Sequence, residues 1–331
     1  MPTSLVTGGA GFMGAHMVKE LLAKGHTVIA LDDLSGGFAD QVDPRATFIQ
    51  GSINDHALVD RLFAEHRFDH VYHLAAYAAE GLSHFIRRFN YQNNLIGSIN
   101  LINASVRHEV KCFVFTSSIA VYGALPPPMR EDMRPMPEDP YGVAKLAVEM
   151  DLEAARHMFG LNYVVFRPHN VYGEYQNIGD RYRNVVGIFM NQLMQGQPLS
   201  VFGDGQQQRA FSYIGDIAPI MARAAETPAA YGQVFNVGAD TPYTVNELAT
   251  AVQEAMGLSG MVRNLPARNE VVFAFSDHSK VERVFGKQRE TTLQEGLARM
   301  APWAKAVGAR KSGHFGNIEI ERGLPPSWKE A

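Results

Sequence analysis

The sequence Thr3-Ser4-Leu5-Val6-Thr7-Gly8-Gly9-Ala10-Gly11-Phe12-Met13-Gly14 joins an apolar strand to a glycine-spaced turn and an amphipathic helix. Gly8 permits a tight turn after the strand, Gly11 leaves room for a pyrophosphate, and Gly14 lets the helix pack closely on the sheet. The start of that helix offers free backbone N–H groups and the positive end of its dipole to phosphates. The stretch therefore predicts a dinucleotide-binding turn, in which Phe12 and Met13 also contact the cofactor.

A second strand, Val28-Ile29-Ala30-Leu31, supports this interpretation because it ends in Asp32-Asp33. An acidic residue at this distance from the glycines is typical of the carboxylate that binds an adenosine ribose. A 2′-phosphate would be repelled there, so Asp32 favours NAD over NADP. We expect the following loop to line the same site with Asp33, Leu34, Ser35 and Gly36.

Composition limits the kinds of partner. The chain has 331 residues, a formal net charge of −4 and no basic run, so neither nucleic acid nor an anionic membrane is an expected partner. No apolar run approaches the length of a membrane span, and no secretory leader is visible, which predicts a cytoplasmic protein. The single cysteine, Cys112, lies in an apolar run and is expected to be buried.

Strand and helix patterns alternate along the first half of the chain, which is typical of an α/β fold with a doubly wound parallel sheet. We predict a cofactor domain over residues 1–172 with a returning strand near 233–238, a smaller mixed α/β substrate domain over 173–310, and a tail over 311–331. In the helix that starts near Tyr141, the side chains expected to pack on the sheet are Leu146, Met150 and Leu152.

Tyr141 and Lys145 are four residues apart and therefore project from one face of that helix. A nearby ammonium and a positively charged nicotinamide both favour phenolate, so we expect a lowered pKa that makes Tyr141 a general base. Ser118 follows the fifth strand at the same edge of the sheet. Its hydroxyl is suited to orient the substrate oxygen that loses a proton.

Six motifs together resemble the extended short-chain dehydrogenase/reductases, and among them the NAD-dependent nucleotide-sugar epimerases and dehydratases with a Rossmann fold. They are T-G-G-A-G-F-M-G at 7–14, H-L-A-A at 73–76, Y-x-x-N-x-x-G-S from Tyr91, T-S-S-x-x-V-Y-G at 116–123, Tyr141 to Lys145, and R-P-x-N-V-Y-G at 167–173. The resemblance covers about residues 3 to 300.

This resemblance implies retained NAD and a catalytic triad of Ser118, Tyr141 and Lys145. It also implies further cofactor contacts at the edge of the sheet, with Asn93 or Asn94 in a cofactor-binding or supporting role. The remaining predicted contacts are Ser52, Ile53, Leu74, Ala75, Ala76, Asn93, Thr116, Tyr141, Lys145 and Pro168.

The same resemblance implies that Asn170 contacts the sugar or its diphosphate and that Arg209 and Arg268 bind the diphosphate. The loop after the fourth strand should cover the sugar pocket, and the polar segment from Glu174 to Asn184 could form a lid. There, Arg181 or Arg183 could bind a uronate carboxylate. The predicted substrate contacts are Tyr77, Glu80, Ser118, Ile119, Ala120, Asn170, Arg181, Arg183, Val185, Arg209 and Arg268. We predict no metal site.

Ile119 and Ala120 separate the possible reactions. The 4,6-dehydratases of this family carry Asp-Glu directly after the catalytic hydroxyl, whereas neither Ile119 nor Ala120 can move a proton. The expected reaction is C4 epimerisation through a transient 4-keto sugar, on UDP-glucose/UDP-galactose or UDP-glucuronate/UDP-galacturonate. A 4,6-dehydratase or 4-ketoreductase is the alternative, and a non-catalytic NAD-binding redox sensor is a second. Family resemblance further suggests a homodimer built on a four-helix bundle from residues 91–108 and 141–158.

Overall fold

The computed structural model describes residues 1–267, 271–287, 289–313 and 315–329. Its strands are β1 Thr3–Thr7, β2 Thr27–Asp32, β3 Thr47–Gln50, β4 His70–His73, β5 Cys112–Thr116, β6 Tyr163–Pro168, β7 Val171–Tyr172, β8 Leu199–Phe202, β9 Gln208–Ala210, β10 Ser212–Tyr213, β11 Gln233–Val237, β12 Pro242–Thr244, β13 Val262–Leu265 and β14 Phe273–Ala274.

The α-helices are α1 Phe12–Ala23, α2 His56–His66, α3 Glu80–Ser83, α4 Arg87–Tyr91, α5 Gly97–Arg107, α6 Pro140–Phe159, α7 Val185–Met194, α8 Ile214–Arg223, α9 Val245–Met256, α10 Ser279–Phe285, α11 Leu293–Val307 and α12 Pro326–Lys329. A π-helical turn, Gln92–Ile96, joins α4 to α5. In the part of the chain that the structure describes, no helix combines the length and apolar character needed to cross a membrane.

Seven parallel strands form the central sheet in the order β11-β6-β5-β4-β1-β2-β3. The strand order reverses next to β1, because β2 pairs with one edge of β1 and β4 with the other. In sheets of this kind ligands bind outside the carboxyl ends of the strands at the reversal point. The prediction of a doubly wound parallel α/β fold is therefore confirmed.

Helices cover both faces of this sheet and bury two apolar cores. On one face α2, α5 and α6 pack through residues such as Leu62, Phe63, Leu101 and Leu152. On the other face α1 and α8 pack on the sheet, and this core continues without a break into the C-terminal helices α7, α9 and α11. The two-sided packing explains why the central strands are almost continuously apolar.

Helix α6 is the helix predicted to carry Tyr141, and its first turn is fixed by local sequence. The Asp139 carboxylate accepts a hydrogen bond from the Gly142 N–H at 2.9 Å, and Pro140 occupies the first turn, where no N–H is needed. One expectation for this helix is wrong. The Met150 side chain is 66% exposed, because it lies on the helix face opposite buried Val148 and Leu152.

Three smaller sheets lie in the C-terminal half: β12-β9-β14, β13-β8 and β10-β7. The chain also returns to the central sheet, where β11 pairs with β6 and α8 packs on α1. The boundary expected near residue 172 stays a prediction. What matters for the site is that loops from both halves meet at the carboxyl edge of the central sheet.

Candidate functional site

A cavity of about 520 Å³ opens at the carboxyl ends of β1, β2, β4, β5 and β6. Segments from the C-terminal half cover it, namely residues 176–185, the end of β8, and β9. The carboxyl ends of parallel strands all lie at one edge of the sheet, so the loops that follow these strands form the base of the cavity. The cavity has the size and partly apolar lining expected of a small-molecule site.

The glycine turn forms one end of the cavity as predicted. Gly8 has φ +69°, and a Cβ there would lie 2.8 Å from the Ala75 backbone nitrogen. A Cβ on Gly14 would lie only 1.9 Å from the Gly8 carbonyl oxygen, so α1 can approach the turn only without a side chain there. These contacts leave the N-terminus of α1 facing the cavity, which suits a pyrophosphate.

The Asp32 carboxylate is held beside this turn. Its Oδ2 accepts a hydrogen bond from the Ala10 N–H at 3.1 Å and its Oδ1 accepts one from the Leu34 N–H at 2.8 Å. Burial raises the pKa of Asp32, whereas the two N–H donors oppose the rise. The N–H groups also fix the carboxylate in a position to accept bonds from a ribose.

Most of the predicted cofactor contacts line this one cavity. They are Gly8, Gly11, Phe12, Met13, Gly14, Asp32, Asp33, Ser35, Gly36, Ile53, Leu74, Ala75, Ala76, Asn93, Thr116, Tyr141, Lys145 and Pro168. Leu34 and Ser52 do not line it. Leu34 has φ +62° and contributes its N–H to Asp32, while the Ser52 hydroxyl accepts a bond from the Asn54 N–H.

Thr116 provides an independent test of whether a dinucleotide fits. Its Oγ1 is buried, lines the cavity and has no hydrogen-bond partner among the described residues. A buried hydroxyl without a partner is costly, so a ligand atom is expected to supply one. The glycine turn, the Asp32 carboxylate and this unpaired hydroxyl are all groups that suit a bound dinucleotide such as NAD.

Ser118, Tyr141 and Lys145 come together deeper in the cavity. The Ser118 side chain caps a 3-10 turn by accepting a bond from the Ala120 N–H at 3.1 Å, and it faces the Tyr141 phenol. The Lys145 ammonium donates to the Thr116 carbonyl at 2.8 Å and lies 5.8 Å from the centre of the Tyr141 ring. The helical spacing thus places cation and phenol side by side.

Burial has the largest effect on the pKa values of Tyr141 and Lys145 in the protein without cofactor. Burial raises the pKa of Tyr141, and a hydrogen bond from Ser118 and the charge of Arg183 only partly oppose it. Burial also lowers the pKa of Lys145 to about 7, opposed by the Glu149 carboxylate. Without the nicotinamide, loss of water penalises the phenolate more than Ser118 and Arg183 stabilise it, so the lowered pKa expected for Tyr141 beside bound NAD stays a prediction.

Asn94 does not line the cavity but holds the backbone of Tyr77, which does. Its Oδ1 accepts a bond from the Tyr77 N–H at 2.8 Å, its Nδ2 donates to the Tyr77 carbonyl at 3.1 Å, and the same Nδ2 donates to Asn90 Oδ1. Asn93, by contrast, lines the cavity. Of the two asparagines, Asn94 has the supporting position and Asn93 the one that can reach a ligand.

Most of the predicted substrate contacts also face the cavity. Those that line it are Tyr77, Glu80, Ser118, Ile119, Ala120, Asn170, Arg183, Val185 and Arg209. Arg181 does not line it, and Arg268 lies outside the described residues. The chain turns at residues 180–182, where the Asp180 Oδ1 accepts a hydrogen bond from the Tyr182 N–H.

Arg183 lines the cavity between Tyr77 and the predicted cofactor loop at Gly36. Its guanidinium pairs with the Asp180 carboxylate at 2.5 Å and lies 4.6 Å from the centre of the Tyr77 ring. Arg209 is held differently, since its Nη1 donates to the Gln208 and Val272 carbonyls at 2.9 Å each. Backbone carbonyls therefore orient Arg209, which lacks an acidic residue directly after it.

Several lining residues were not predicted from the sequence, among them Gln176, Asn177, Asp180, Phe202 and Gln207. Gln176 is 3% exposed, and neither its Nε2 nor its Oε1 has a partner among the described residues. The polar character of residues 174–184 had indicated that this segment could cover the site as a lid. Which of its side chains point inward depends on the tertiary packing.

Comparison with known proteins agrees with this geometry. The model of the NAD dependent epimerase/dehydratase family matches residues 4–238. The UDP-glucose 4-epimerase of Mycolicibacterium smegmatis is 34% identical over 304 residues, which cover 89% of this chain and 96% of that protein.

Solved structures are similar over nearly the whole chain. The UDP-glucose 4-epimerase of Thermotoga maritima with UDP-glucose has a TM-score of 0.88 and 34% identity, and the match covers 92% of this chain and 99% of that one. The UDP-glucuronic acid 4-epimerase of Bacillus cereus, in complex with UDP-glucuronic acid and NAD, has a TM-score of 0.85 and 27% identity, with the same coverage.

These matches confirm the predicted family, the α/β fold, the dependence on NAD and the assignment as an epimerase. The roles of individual site residues stay predictions. The chain belongs to the NAD dependent epimerase/dehydratase family.

Proposed function

We propose that this enzyme interconverts UDP-glucose and UDP-galactose by inverting C4 through a transient 4-keto sugar. The observation that carries the proposal is the meeting of Ser118, Tyr141 and Lys145 in a cavity whose adjoining wall is formed by Ile119 and Ala120. The uridine nucleotide and the neutral hexose are taken from what the relatives in M. smegmatis and T. maritima are named for.

In the proposed reaction Tyr141 removes the proton of the C4 hydroxyl while Ser118 is hydrogen-bonded to the same oxygen. Bound NAD supplies the hydride acceptor and donor. The buried Lys145 amine, fixed on the Thr116 carbonyl, lies beside the phenol and, when protonated, favours its ionised form. After the keto sugar turns over in the cavity, Tyr141 returns the proton, so no net redox change results.

The lining at Ile119 and Ala120 argues against dehydration. Elimination of water across C5 and C6 requires a second acid and base near the sugar, and these two side chains offer neither. A 4-ketoreductase would need external reductant for every turnover. Epimerisation needs only the retained cofactor, so it is the simplest reaction for these residues.

The test is incubation of the purified holoenzyme with UDP-glucose, and separately with UDP-glucuronate, without added reductant, followed by NMR of the sugar ring. UDP-galactose as the product supports the proposal. If UDP-glucose returns unchanged while NAD stays bound, the proposed substrate is wrong.

UDP-glucuronate is the second candidate substrate, because a guanidinium lines the sugar end of the cavity. Arg183 is 19% exposed and pairs with Asp180, so a uronate carboxylate would have to share this guanidinium with Asp180. Glu80, Glu138 and Asp139 line the same region and add negative charge. This balance makes the neutral hexose our first choice.

We also propose a homodimer. Helix α6 carries an apolar stripe at helical spacing, Val143, Ala147, Met150, Ala154 and Met158, of which Met150 and Met158 are 66% and 72% exposed. Ile96, on the neighbouring π-helical turn, is 46% exposed. Two copies of this face would bury the stripe in a four-helix bundle. A cytoplasmic location stays a prediction.

A further inference from the structure

Beyond α11 the chain continues into a segment that packs against the first half of the chain. Residues 315–329, here called the C-terminal segment, contain little regular structure apart from the short helix α12. Even so, Leu324 and Trp328 are each only 6% exposed. Buried apolar side chains in an irregular segment indicate that it is docked on something specific.

The surface beneath it is the wall of the cavity. Leu324 and Trp328 share an apolar cluster with Ala79, Leu82 and Ile86, which lie within residues 77–91, here called the pocket wall. The Trp328 ring also meets the Tyr182 ring edge-on at 5.3 Å between centres. The C-terminal segment therefore contacts both the pocket wall and the lid, residues 174–184, to which Tyr182 belongs.

Polar contacts fix the register of this docking. The Glu319 carboxylate accepts bonds from the Arg88 and Phe89 N–H groups at 2.9 and 3.0 Å, in the first turn of α4. The Glu319 N–H donates to the Phe85 carbonyl at 2.8 Å. Partial desolvation of the Glu319 carboxylate raises its pKa, but these N–H donors outweigh that effect and lower the pKa. A carboxylate at a helix start is stabilised by unpaired N–H groups and by the helix dipole.

Phe315 carries the contact to the cavity itself. Its ring centre lies 5.3 Å from that of Tyr77 and 4.9 Å from that of Phe89, and its N–H donates to the Tyr182 hydroxyl at 3.2 Å. Tyr77 in turn lines the cavity and lies under the Arg183 guanidinium. The Tyr77 ring is thus held by the C-terminal segment and by the lid.

The pocket wall is also hydrogen-bonded to the start of helix α6, which carries Tyr141. The Ser83 hydroxyl accepts a bond from the Tyr141 N–H at 3.2 Å, and the Asn90 amide donates to the Pro140 carbonyl at 2.8 Å. Glu80 and His84, on the same wall, line the cavity. The wall therefore contacts both the cavity and the start of α6, whose first turn is also fixed independently by the Asp139 cap.

We propose that the C-terminal segment supports the substrate site from behind the pocket wall, with Phe315, Glu319 and Trp328 as positioning residues. Through Tyr77 and Arg183 they set the affinity for the sugar end of the nucleotide sugar. Arg183 also lies beside Gly36 of the predicted cofactor loop, but in the part of the chain that the structure describes none of the three positioning residues contacts the glycine turn at 7–14. The inference deepens the proposed function and rests on it for the identity of the substrate.

The first test is the kinetics of Phe315→Ala on UDP-glucose with the full-length holoenzyme. Loss of the ring contacts with Tyr77 and Phe89 is expected to raise KM about tenfold, with kcat within about threefold of wild type. Phe315→Tyr keeps the ring and should restore KM. Ile320→Ala is the matched control, because Ile320 lies in the same segment but is 42% exposed.

A KM for Phe315→Ala equal to that of wild type overturns the proposal. A KM increase that Ile320→Ala shares overturns it as well. So does a loss of bound NAD that accompanies the change in KM, because that pattern indicates general damage rather than a displaced wall.

The second test does not depend on the sugar. Amide hydrogen exchange of the wild-type holoenzyme is compared with that of Glu319→Gln, in peptides covering residues 77–91. We expect exchange there to become about tenfold faster in the variant while the glycine turn at 7–14 is unchanged. Unchanged exchange at 77–91 contradicts the proposal, whereas inactivity of the wild type on both UDP-sugars contradicts only the proposed function.

Discussion

The guanidinium of Arg167, at the end of β6, pairs with the carboxylate of Glu149 on α6, with Nη2 2.5 Å from Oε2 and Nε 3.0 Å from Oε1. Both side chains are buried, at 4% and 6% exposure. The Ser117 hydroxyl donates to the same carboxylate at 2.5 Å. Glu149 lies one helical turn after Lys145, so the pair connects helix α6 to the strands that precede Ser118 and Asn170.

Glu149→Gln should lower the free energy of unfolding by about 3–5 kcal/mol, because it leaves the buried Arg167 guanidinium without a counter-charge. Chemical denaturation measures the change. Glu65→Gln provides the control, since Glu65 pairs with Arg61 at 3.9 Å on the surface of α2 and should change stability by less than about 1 kcal/mol. Equal effects of the two variants would refute the interpretation.

Lys145 makes stability depend on pH. Burial lowers its pKa from 10.5 in the unfolded chain to about 7. Between pH 7 and pH 10.5 the unfolded chain therefore binds the proton that the folded protein has lost, and stability rises with pH across that window by up to about 1.4 kcal/mol per unit.

Lys145→Met removes this contribution. Denaturation of NAD-free protein at pH 7, 8 and 9 should give a shallower increase of stability with pH for the variant than for wild type. Parallel curves for the two proteins would show that the amine is not deprotonated in this window.

Tyr141→Phe removes the predicted base and should reduce turnover of UDP-glucose by a factor on the order of 100 to 10,000. The phenol hydroxyl is expected to add little to cofactor binding, so bound NAD should stay near the wild-type amount. Turnover is followed by NMR and bound NAD by absorbance after denaturation. Activity close to wild type would exclude Tyr141 as the base.

Gln176→Leu separates stability from ligand binding. The Gln176 amide is buried without a partner among the described residues, so an apolar side chain of similar size should raise the melting temperature of the substrate-free protein. The variant should also bind substrate more weakly, by about tenfold or more, because it cannot make the hydrogen bonds that the amide offers. Calorimetry and titration with UDP-glucose measure the two effects.

Gln253→Leu is the control for Gln176, because the Gln253 amide oxygen already accepts a bond from the Gly260 N–H at 2.7 Å, away from the cavity. That variant should be less stable and should bind substrate normally. A fall in stability for Gln176→Leu would mean that its amide is satisfied.

Met150→Lys places a charge on the apolar stripe of α6 and should convert the proposed dimer to monomer in sedimentation experiments. Met136→Lys is the control, since Met136 is 60% exposed and lies in the loop before α6, off the stripe. A wild-type monomer at micromolar concentration would contradict the proposed dimer, and a dimer unaffected by Met150→Lys would place its interface elsewhere.

Much of the candidate site could be predicted from motifs that are short in the sequence. The glycine spacing, Asp32 after its strand, and Tyr141 four residues before Lys145 are each fixed by the geometry of one turn, strand or helix. Because parallel strands deliver their ends to a common edge, the order of these motifs already predicts that they line one cavity. The alternating pattern of apolar strands and helices similarly indicated the doubly wound sheet.

Other features arise only from contacts between distant parts of the chain. The pKa of Tyr141 depends on how completely it is buried, which helical spacing does not reveal, and Met150 looked like a core residue until the face of α6 against the sheet was known. The roles of Asn93 and Asn94 separate only when Tyr77 is in place. The polar and aromatic residues of the C-terminal segment carry no periodicity, yet Phe315 and Glu319 meet a wall more than 200 residues earlier in the chain. Such pairings depend on the three-dimensional surface to which each side chain is complementary, so local sequence cannot encode them.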